Sequence, residues 1–215
     1  MPDRNAILDR ILAKKAVAVI RMADVGQLAK VIEAVYQGGV ECIEITMTVP
    51  NAVEVIGEVS KVMGDTALIG AGTVLDADTA LATIKAGAEF IVSPVFDRDV
   101  LDIAHTHDKV VIPGAFSPAE IVSAWNAGAD VVKIFPATVL GPRYVKDIRG
   151  PLPQIRLCPT GGVTVDNAGE WIAAGAACVG IGTNLLDKKA IAEERFEVLT
   201  QRAQRMVASI GAATQ

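Results

Sequence analysis

Short apolar runs alternate with amphipathic stretches along the whole chain, and the alternation sets the expected elements. Residues 5 to 15 place Ile7, Leu8, Ile11 and Leu12 on one side, which predicts a short helix. The run Ala16 to Ile20 follows as a strand ending on Arg21. Asp24 is positioned to cap a helix to Gln37, which Gly38-Gly39 stops. Val40 to Met47 reads as the second strand. Pro50 opens a helix to about Met63, a favoured place for proline. Ala67 to Val74 is a third strand, and Asp76 starts a helix ending near Gly87. Phe90 to Pro94, Val110 to Phe116, Val131 to Pro136, Ile155 to Thr160 and Cys178 to Gly182 read as further strands. Helices are expected between them: Asp97 to His107, one capped by Ser117-Pro118 and running to Asn126, 141 to 149, and one capped by Asp166 and running to Ala174. A closing helix covers 188 to 210.

These are eight strand–helix units with short connections, which leave no room for a linker, so residues 1–215 are expected to form a single domain. There is also an internal echo. Gly38-Gly39-Val-Glu, Ala86-Gly87-Ala-Glu, Ala127-Gly128-Ala-Asp and Ala174-Gly175-Ala-Ala each end a helix before an even-numbered strand. A repeat of two βα units is the mark of an α/β chain closed as a (β/α)8 TIM barrel, here preceded by a short N-terminal helix. A doubly wound open sheet shares the alternation and is the rival. The count of eight and the echo favour the barrel.

Alternation within the strands then assigns faces. Cys42, Glu44 and Thr46 share one face, with Ile43 and Ile45 on the other. Val131, Lys133 and Phe135 share one face, with Val132 and Ile134 opposite, and Val17, Val19 and Arg21 fall together in the same way. The apolar pairs can face the helices, which leaves the ionisable residues facing inward. A buried lysine is rare without a reason, and burial disfavours the charged form of an amine, as a Schiff-base nucleophile requires. A purely structural Glu44–Lys133 ion pair would explain the same placement. A catalytic pair also puts the desolvated amine to use.

Composition narrows the partners. Hydrophobic residues make up 51% and aromatics only 4%, so the core is aliphatic. The formal net charge of -5 argues against nucleic-acid binding, which wants a basic patch. Cys42, Cys158 and Cys178 are far apart in apolar runs and read as reduced core residues rather than a disulfide or zinc framework. Residues 1 to 5 show no signal-peptide layout, and the longest uncharged stretch, 171 to 186, is too short and too glycine-interrupted to cross a bilayer. The expectation is a cytoplasmic protein with no membrane contact. His105 and His107 are two apart on one helix and read as solvated surface residues, so no metal site is expected.

Strand ends carry the sites of such barrels, and the loops after strands seven and eight commonly bind phosphate. Thr160-Gly161-Gly162 follows strand seven, and Gly180-Ile181-Gly182-Thr183-Asn184 ends strand eight. Glycines there let backbone amides approach phosphate oxygens, although they would also satisfy tight turns. Gly70-Ala71-Gly72 lacks the third glycine of a dinucleotide fingerprint.

With these residues in place, the chain resembles the 2-keto-3-deoxy-6-phosphogluconate (KDPG) and 4-hydroxy-2-oxoglutarate (KHG) aldolases over nearly its whole length. The matching motifs are Gly39-Val-Glu-Cys-Ile-Glu44-Ile-Thr, Ile69-Gly-Ala-Gly-Thr73-Val, Phe90-Ile-Val-Ser-Pro94, Val131-Val-Lys133-Ile-Phe135-Pro-Ala and Cys158-Pro-Thr160-Gly-Gly162. The resemblance implies a homotrimeric class I aldolase acting on a small 2-keto acid, with no metal or organic cofactor. It implies that Lys133 forms the Schiff base and Glu44 is the general acid/base. Arg21 would hold the substrate carboxylate, with Thr73 and Thr160 lining the site and Pro94 and Phe135 shaping the pyruvyl pocket. Gly161, Gly162, Gly182 and Thr183 would hold the distal phosphate. Some members carry an arginine just after the glutamate strand, whereas Thr46 to Asn51 has no cation here. Two other readings keep parts of this pattern: a phosphosugar isomerase or epimerase with Lys133 as a non-covalent acid, and a non-catalytic oligomeric scaffold.

Overall fold

The computed structural model describes residues 3–64 and 66–214. Met1 and Pro2, which begin the stretch read above as lacking a leader, lie outside them. Asp3 caps the first helix, α1 (Arg4–Lys14), by accepting the Ala6 N–H, and the helix buries Ile7, Leu8 and Ile11. Five strands and four helices then alternate: β1 (Ala16–Ile20), α2 (Leu28–Gln37), β2 (Cys42–Thr46), α3 (Ala52–Met63), β3 (Leu68–Gly72), α4 (Ala77–Ala86), β4 (Phe90–Val92), α5 (Arg98–Thr106) and β5 (Val110–Ile112). The second half runs β6 (Gly114–Ala115), α6 (Pro118–Asn126), β7 (Val132–Ile134), α7 (Gly141–Arg149), β8 (Leu157–Pro159), α8 (Ala168–Ala173), β9 (Val179–Ile181), α9 (Lys188–Ala192) and α10 (Glu197–Ala212).

All strand pairs are parallel. They form a six-stranded sheet in the order β5-β4-β3-β2-β1-β9 and a three-stranded sheet in the order β6-β7-β8. The strand expected over 110 to 116 is thus two pieces, and Pro113 is the cause. Proline cannot donate to a ladder. Val110–Ile112 pairs back to β4, Gly114–Ala115 pairs forward to β7, and the Pro113 carbonyl accepts the Lys133 N–H at 2.8 Å. One stretch of chain therefore serves both sheets. On their other side a parallel bridge, Thr160 with Gly180, joins them, and the Ala177 N–H donates to the Leu157 carbonyl at 2.8 Å.

Several helix ends differ from expectation. Asp166 caps nothing, because its carboxylate pairs with Arg205 and α8 starts two residues later. Instead Asn167 Oδ1 accepts the Thr164 N–H at 2.7 Å and closes a local turn ahead of the helix. Pro50 lies in a turn before α3 rather than in it, with Asn51 at φ 52° between them. Asp24 caps a single 3-10 turn over Val25–Gln27, and α2 begins after it. The closing helix is broken between α9 and α10, where Glu194 adopts φ 52°, a value no continuous helix contains. The cap expected at Ser117 is present and is part of a full capping box, with Glu120 reaching back to the Ser117 N–H at 2.7 Å.

Packing follows the strand alternation. Ala18, Ile20, Ile43, Ile45, Ile69, Val132 and Ile134 join the helices in one large apolar cluster. Val17, Cys42, Leu68, Phe90, Val110, Val131, Cys158 and Cys178 point to the other face and pack with Ile7, Leu8 and Ile11 of α1. Helix α1 therefore covers the N-terminal end of the inner face. Among the described residues, no helix is long and apolar enough to cross a membrane.

Candidate active site

Two residues further along several of the same strands, the inner face changes character. Cys42 is followed on its face by Glu44, Val131 by Lys133, Cys158 by Thr160, and Leu68 and Cys178 by Gly70 and Gly180. Glu44 stands in register between Val19 of β1 and Gly70 of β3, and Lys133 between Gly114 of β6 and Cys158 of β8. These two charged residues, from strands in different sheets, meet across the interior. Lys133 Nζ lies 3.7 Å from Glu44 Oε1, with the residues 5% and 2% exposed. That separation is an ion-pair contact, beyond the length of a hydrogen bond. Glu44 Oε1 is buried with no hydrogen-bond partner.

Glycines make the room. A Cβ on Gly72 would overlap the Glu44 carboxylate, and one on Gly180 would overlap the Thr160 hydroxyl. Lys133 Nζ also sits 5.4 Å from the centre of the Phe135 ring, within cation–π range. Beyond Glu44 the buried Thr46 hydroxyl lies 2.7 Å from that of Thr48 and 3.3 Å from the Ile20 carbonyl oxygen, to which it donates.

A cavity of about 890 Å³ opens at the C-terminal ends of the strands. Its wall includes Arg21, Phe135, Thr160, Gly161, Gly162, Gly182 and Thr183. Lys133, Glu44, Thr73 and Pro94 are not part of that wall. Phe135 connects the two zones, since it shares the Lys133 face and lines the cavity. Thr73 is half-buried just past β3, at φ 59°, and Pro94 is half-buried just past Ser93. Arg21 is exposed one residue beyond β1. Gly161 and Gly162 adopt φ 92° and 74°, which only glycine adopts freely. A Cβ on Gly162 would also come within 2.8 Å of Thr138 Cα.

The wall holds residues the sequence reading did not single out, among them Gln27, Thr48 and Lys188. All three lie in loops or at helix starts, where neither strand alternation nor helical period reports direction. The histidine expectation needs one correction. His107 is exposed, but His105 is half-buried and its Nε2 lies 3.3 Å from the buried Asp130 carboxylate. Asp130 also accepts the Val111 N–H at 2.9 Å, so this contact ties α5 to the loop before β7. Among the described residues, no group of three or more His, Cys, Asp or Glu side chains is placed to hold a metal ion.

Comparison with known proteins matches residues 7–202 to the family model described as KDPG and KHG aldolase. A 2-dehydro-3-deoxy-phosphogluconate aldolase of Pseudomonas aeruginosa is 37% identical over 177 residues, which is 81% of this chain and 78% of that protein. A 2-dehydro-3-deoxy-6-phosphogalactonate aldolase of Escherichia coli is 35% identical over 170 residues, 79% of this chain and 83% of that one. Among solved structures, the KDPG aldolase from Legionella pneumophila with pyruvate captured as a covalent carbinolamine intermediate superposes with a TM-score of 0.83. It is 29% identical, covering 93% of this chain and 95% of that one.

Proposed function

The chain belongs to the KDPG and KHG aldolase family, and from that premise we propose that Lys133 and Glu44 are the nucleophile and general acid/base of a class I aldolase. The reaction is cleavage of 2-keto-3-deoxy-6-phosphogluconate to pyruvate and D-glyceraldehyde 3-phosphate. A shorter substrate, 4-hydroxy-2-oxoglutarate, would give pyruvate and glyoxylate by the same steps. The observation that carries the assignment is the buried pair itself, 3.7 Å apart, with the contacting carboxylate oxygen, Glu44 Oε1, left without a hydrogen bond. A structural ion pair gains stability by saturating its hydrogen bonds. This one leaves a buried acceptor without a hydrogen bond, which supports its use in proton transfer.

The steps follow from that geometry. The Lys133 amine adds to the C2 carbonyl to give a carbinolamine, the state in which the Legionella relative was captured with pyruvate. Loss of water leaves a protonated imine. Glu44 takes the proton of the C4 hydroxyl, the C3–C4 bond breaks, and its electron pair flows into the imine to leave an enamine of pyruvate. Protonation at C3 and hydrolysis release pyruvate and regenerate the amine. Arg21 is suited to the substrate carboxylate, with Thr73, Thr160, Pro94 and Phe135 around the pyruvyl part. Gly161, Gly162, Gly182 and Thr183 offer backbone and hydroxyl donors to the distal phosphate.

The same reading closes the two sheets into a single (β/α)8 barrel domain. The last strand lies beside the first, and the 110 to 116 segment belongs to both sheets, as a closed barrel requires and a doubly wound sheet does not. It also makes the protein a cytoplasmic homotrimer. The three buried free cysteines suit a reducing compartment. Leu75, Val95, Phe116 and Val139 leave apolar surface for another copy on successive loops, and sedimentation reads the subunit number directly.

Borohydride reduction in the presence of pyruvate tests the chemistry. The expected product is one adduct, on Lys133, with turnover in a pyruvate-coupled assay abolished in Lys133→Ala. An unmodified Lys133 sinks the Schiff-base reading and leaves a non-covalent isomerase or an inert scaffold.

A further inference from the structure

The cavity carries one cation that the aldol chemistry leaves without a task. The charged side chains on its wall are Arg21, Asp24 and Lys188. Arg21 is assigned to the carboxylate beside the keto group. Asp24 is engaged by its own turn, since its Oδ1 accepts the Gly26 N–H at 2.9 Å. Lys188 is exposed at the start of α9, five residues past Thr183. The acid next to it in sequence is taken: Asp187 accepts the Ala190 N–H at 2.9 Å and pairs with Arg202. The neighbouring Lys189 is the one that reaches Glu193, at 4.0 Å. Lys188 makes no ion pair among the described residues, so its ammonium is free to meet a ligand. Across the cavity, the loop after β2 contributes a hydroxyl, Thr48, and no cation.

We propose that Lys188 is a specificity-determining residue that takes the distal phosphate and sets the preference for phosphorylated over short 2-keto acids. The proposal rests on the aldolase reading above. A Schiff base fixes one end of every substrate at Lys133, so chain length decides what the other end can reach. A short keto acid ends early, while a phosphorylated six-carbon chain extends toward the glycine loops that share their wall with Lys188. Lysine offers a compact, rotatable charge that suits a phosphate dianion. An exposed ion pair is a modest interaction and is screened by salt. The expected contribution is therefore about fivefold in binding, expressed in KM rather than kcat, as for binding that is equal in ground and transition states.

The test compares Lys188→Gln and Lys188→Arg with the parent. Three quantities are measured: KM and kcat for 2-keto-3-deoxy-6-phosphogluconate and for 4-hydroxy-2-oxoglutarate, and the calorimetric Kd of 3-phosphoglycerate. Lys188→Gln should raise KM for the phosphorylated substrate, and the Kd of 3-phosphoglycerate, by about fivefold. Both kcat values and the KM of the short substrate should be unchanged. Lys188→Arg should restore the parent values, and high salt should erase the difference. Equal effects on both substrates, no effect, or a parent that does not bind 3-phosphoglycerate would each overturn the proposal. Pyruvate–borohydride trapping keeps the two readings apart. Loss of trapping in the parent defeats the aldolase chemistry, whereas intact trapping without substrate discrimination defeats Lys188 alone.

Discussion

The two ends of the inner face are built from the same strands and differ by two residues. Toward the N-terminal end, Val17, Cys42, Leu68, Phe90, Val131, Cys158 and Cys178 pack under α1 with almost no exposure. Toward the C-terminal end, the same strands present Glu44, Gly70, Lys133, Thr160 and Gly180 beside an open cavity. The lower end is ordered by apolar burial, which contributes stability in proportion to area. The upper end gives up side-chain volume at glycines and holds a charged pair whose burial is costly. A strand can serve both because its face repeats every second residue, so chemistry and packing are separated along one strand instead of between elements.

The largest expected break in that comparison is Glu44→Gln. It keeps the shape of the upper end and removes the carboxylate proposed as proton acceptor. The expected fall in kcat is about 10²–10⁴-fold, the usual contribution of a general acid/base, with the Lys133–pyruvate adduct still trapped by borohydride. A variant with kcat within a few-fold of the parent would assign the proton transfer to another group. Removing the partner also leaves Lys133 without its ion-pair contact, so a moderate loss of stability is expected alongside.

Much of this division could be read along the chain. The faces of β2 and β7 follow from Cys42-Ile-Glu44-Ile-Thr46 and Val131-Val-Lys133-Ile alone, because alternation is local. The register that brings Glu44 and Lys133 to 3.7 Å is not local: alternation turns both side chains inward and makes them a candidate pair, but their separation depends on strands in different sheets. Pro113 was visible as a residue unable to donate, yet the run of apolar neighbours from Val110 to Phe116 concealed that the chain changes sheets there. Asp166 looked like a cap because it precedes an apolar period, but Asn167 and Thr164 close the turn first. His105 was misread because its partner, Asp130, comes from a loop that no helical pattern places beside it. Lys188 carries no such signal either, because it is the first residue of α9, where the helical period has not yet begun to report direction.

A pair of glycines sharpens the contrast at smaller amplitude. Gly70 and Gly72 share β3 and the same inward direction. A methyl group on Gly70 would overlap the Phe90 ring, part of the apolar end. One on Gly72 would overlap the Glu44 carboxylate. Overpacking typically costs about 1–3 kcal/mol. Gly70→Ala should therefore lower Tm with kcat per folded molecule nearly intact. Gly72→Ala should cost at least about tenfold in kcat by displacing Glu44, the range of a misplaced catalytic group, with the smaller effect on Tm. Thermal melts beside active-site-titrated turnover separate the two, and the reverse pattern would mean that the ends are mechanically coupled.

The smallest expected effect belongs to the cysteines of the lower end, and it appears only in alkali. Burial pushes the Cys42 thiol from its ordinary 9.0 up to about 12. The Cys178 thiol is also raised, by the hydrogen-bonding Cys158 side chain and by burial. The raised values favour the neutral thiol in the folded state, so below pH 9.0 folded and unfolded chains are both protonated and stability is unaffected. Above 9.0 the unfolded chain loses its thiol protons while the folded chain keeps them, so stability declines as pH rises from 9.0 toward about 12. Replacing Cys42 and Cys178 with alanine would lower stability at neutral pH through lost packing but flatten that alkaline slope. The native thiols should also resist a disulfide reagent at pH 8 and react once the chain is unfolded, since the thiolate is the reactive form. Rapid modification of the folded protein with Tm unchanged would show that α1 opens readily, and the lower end would then not be the sealed half of the comparison.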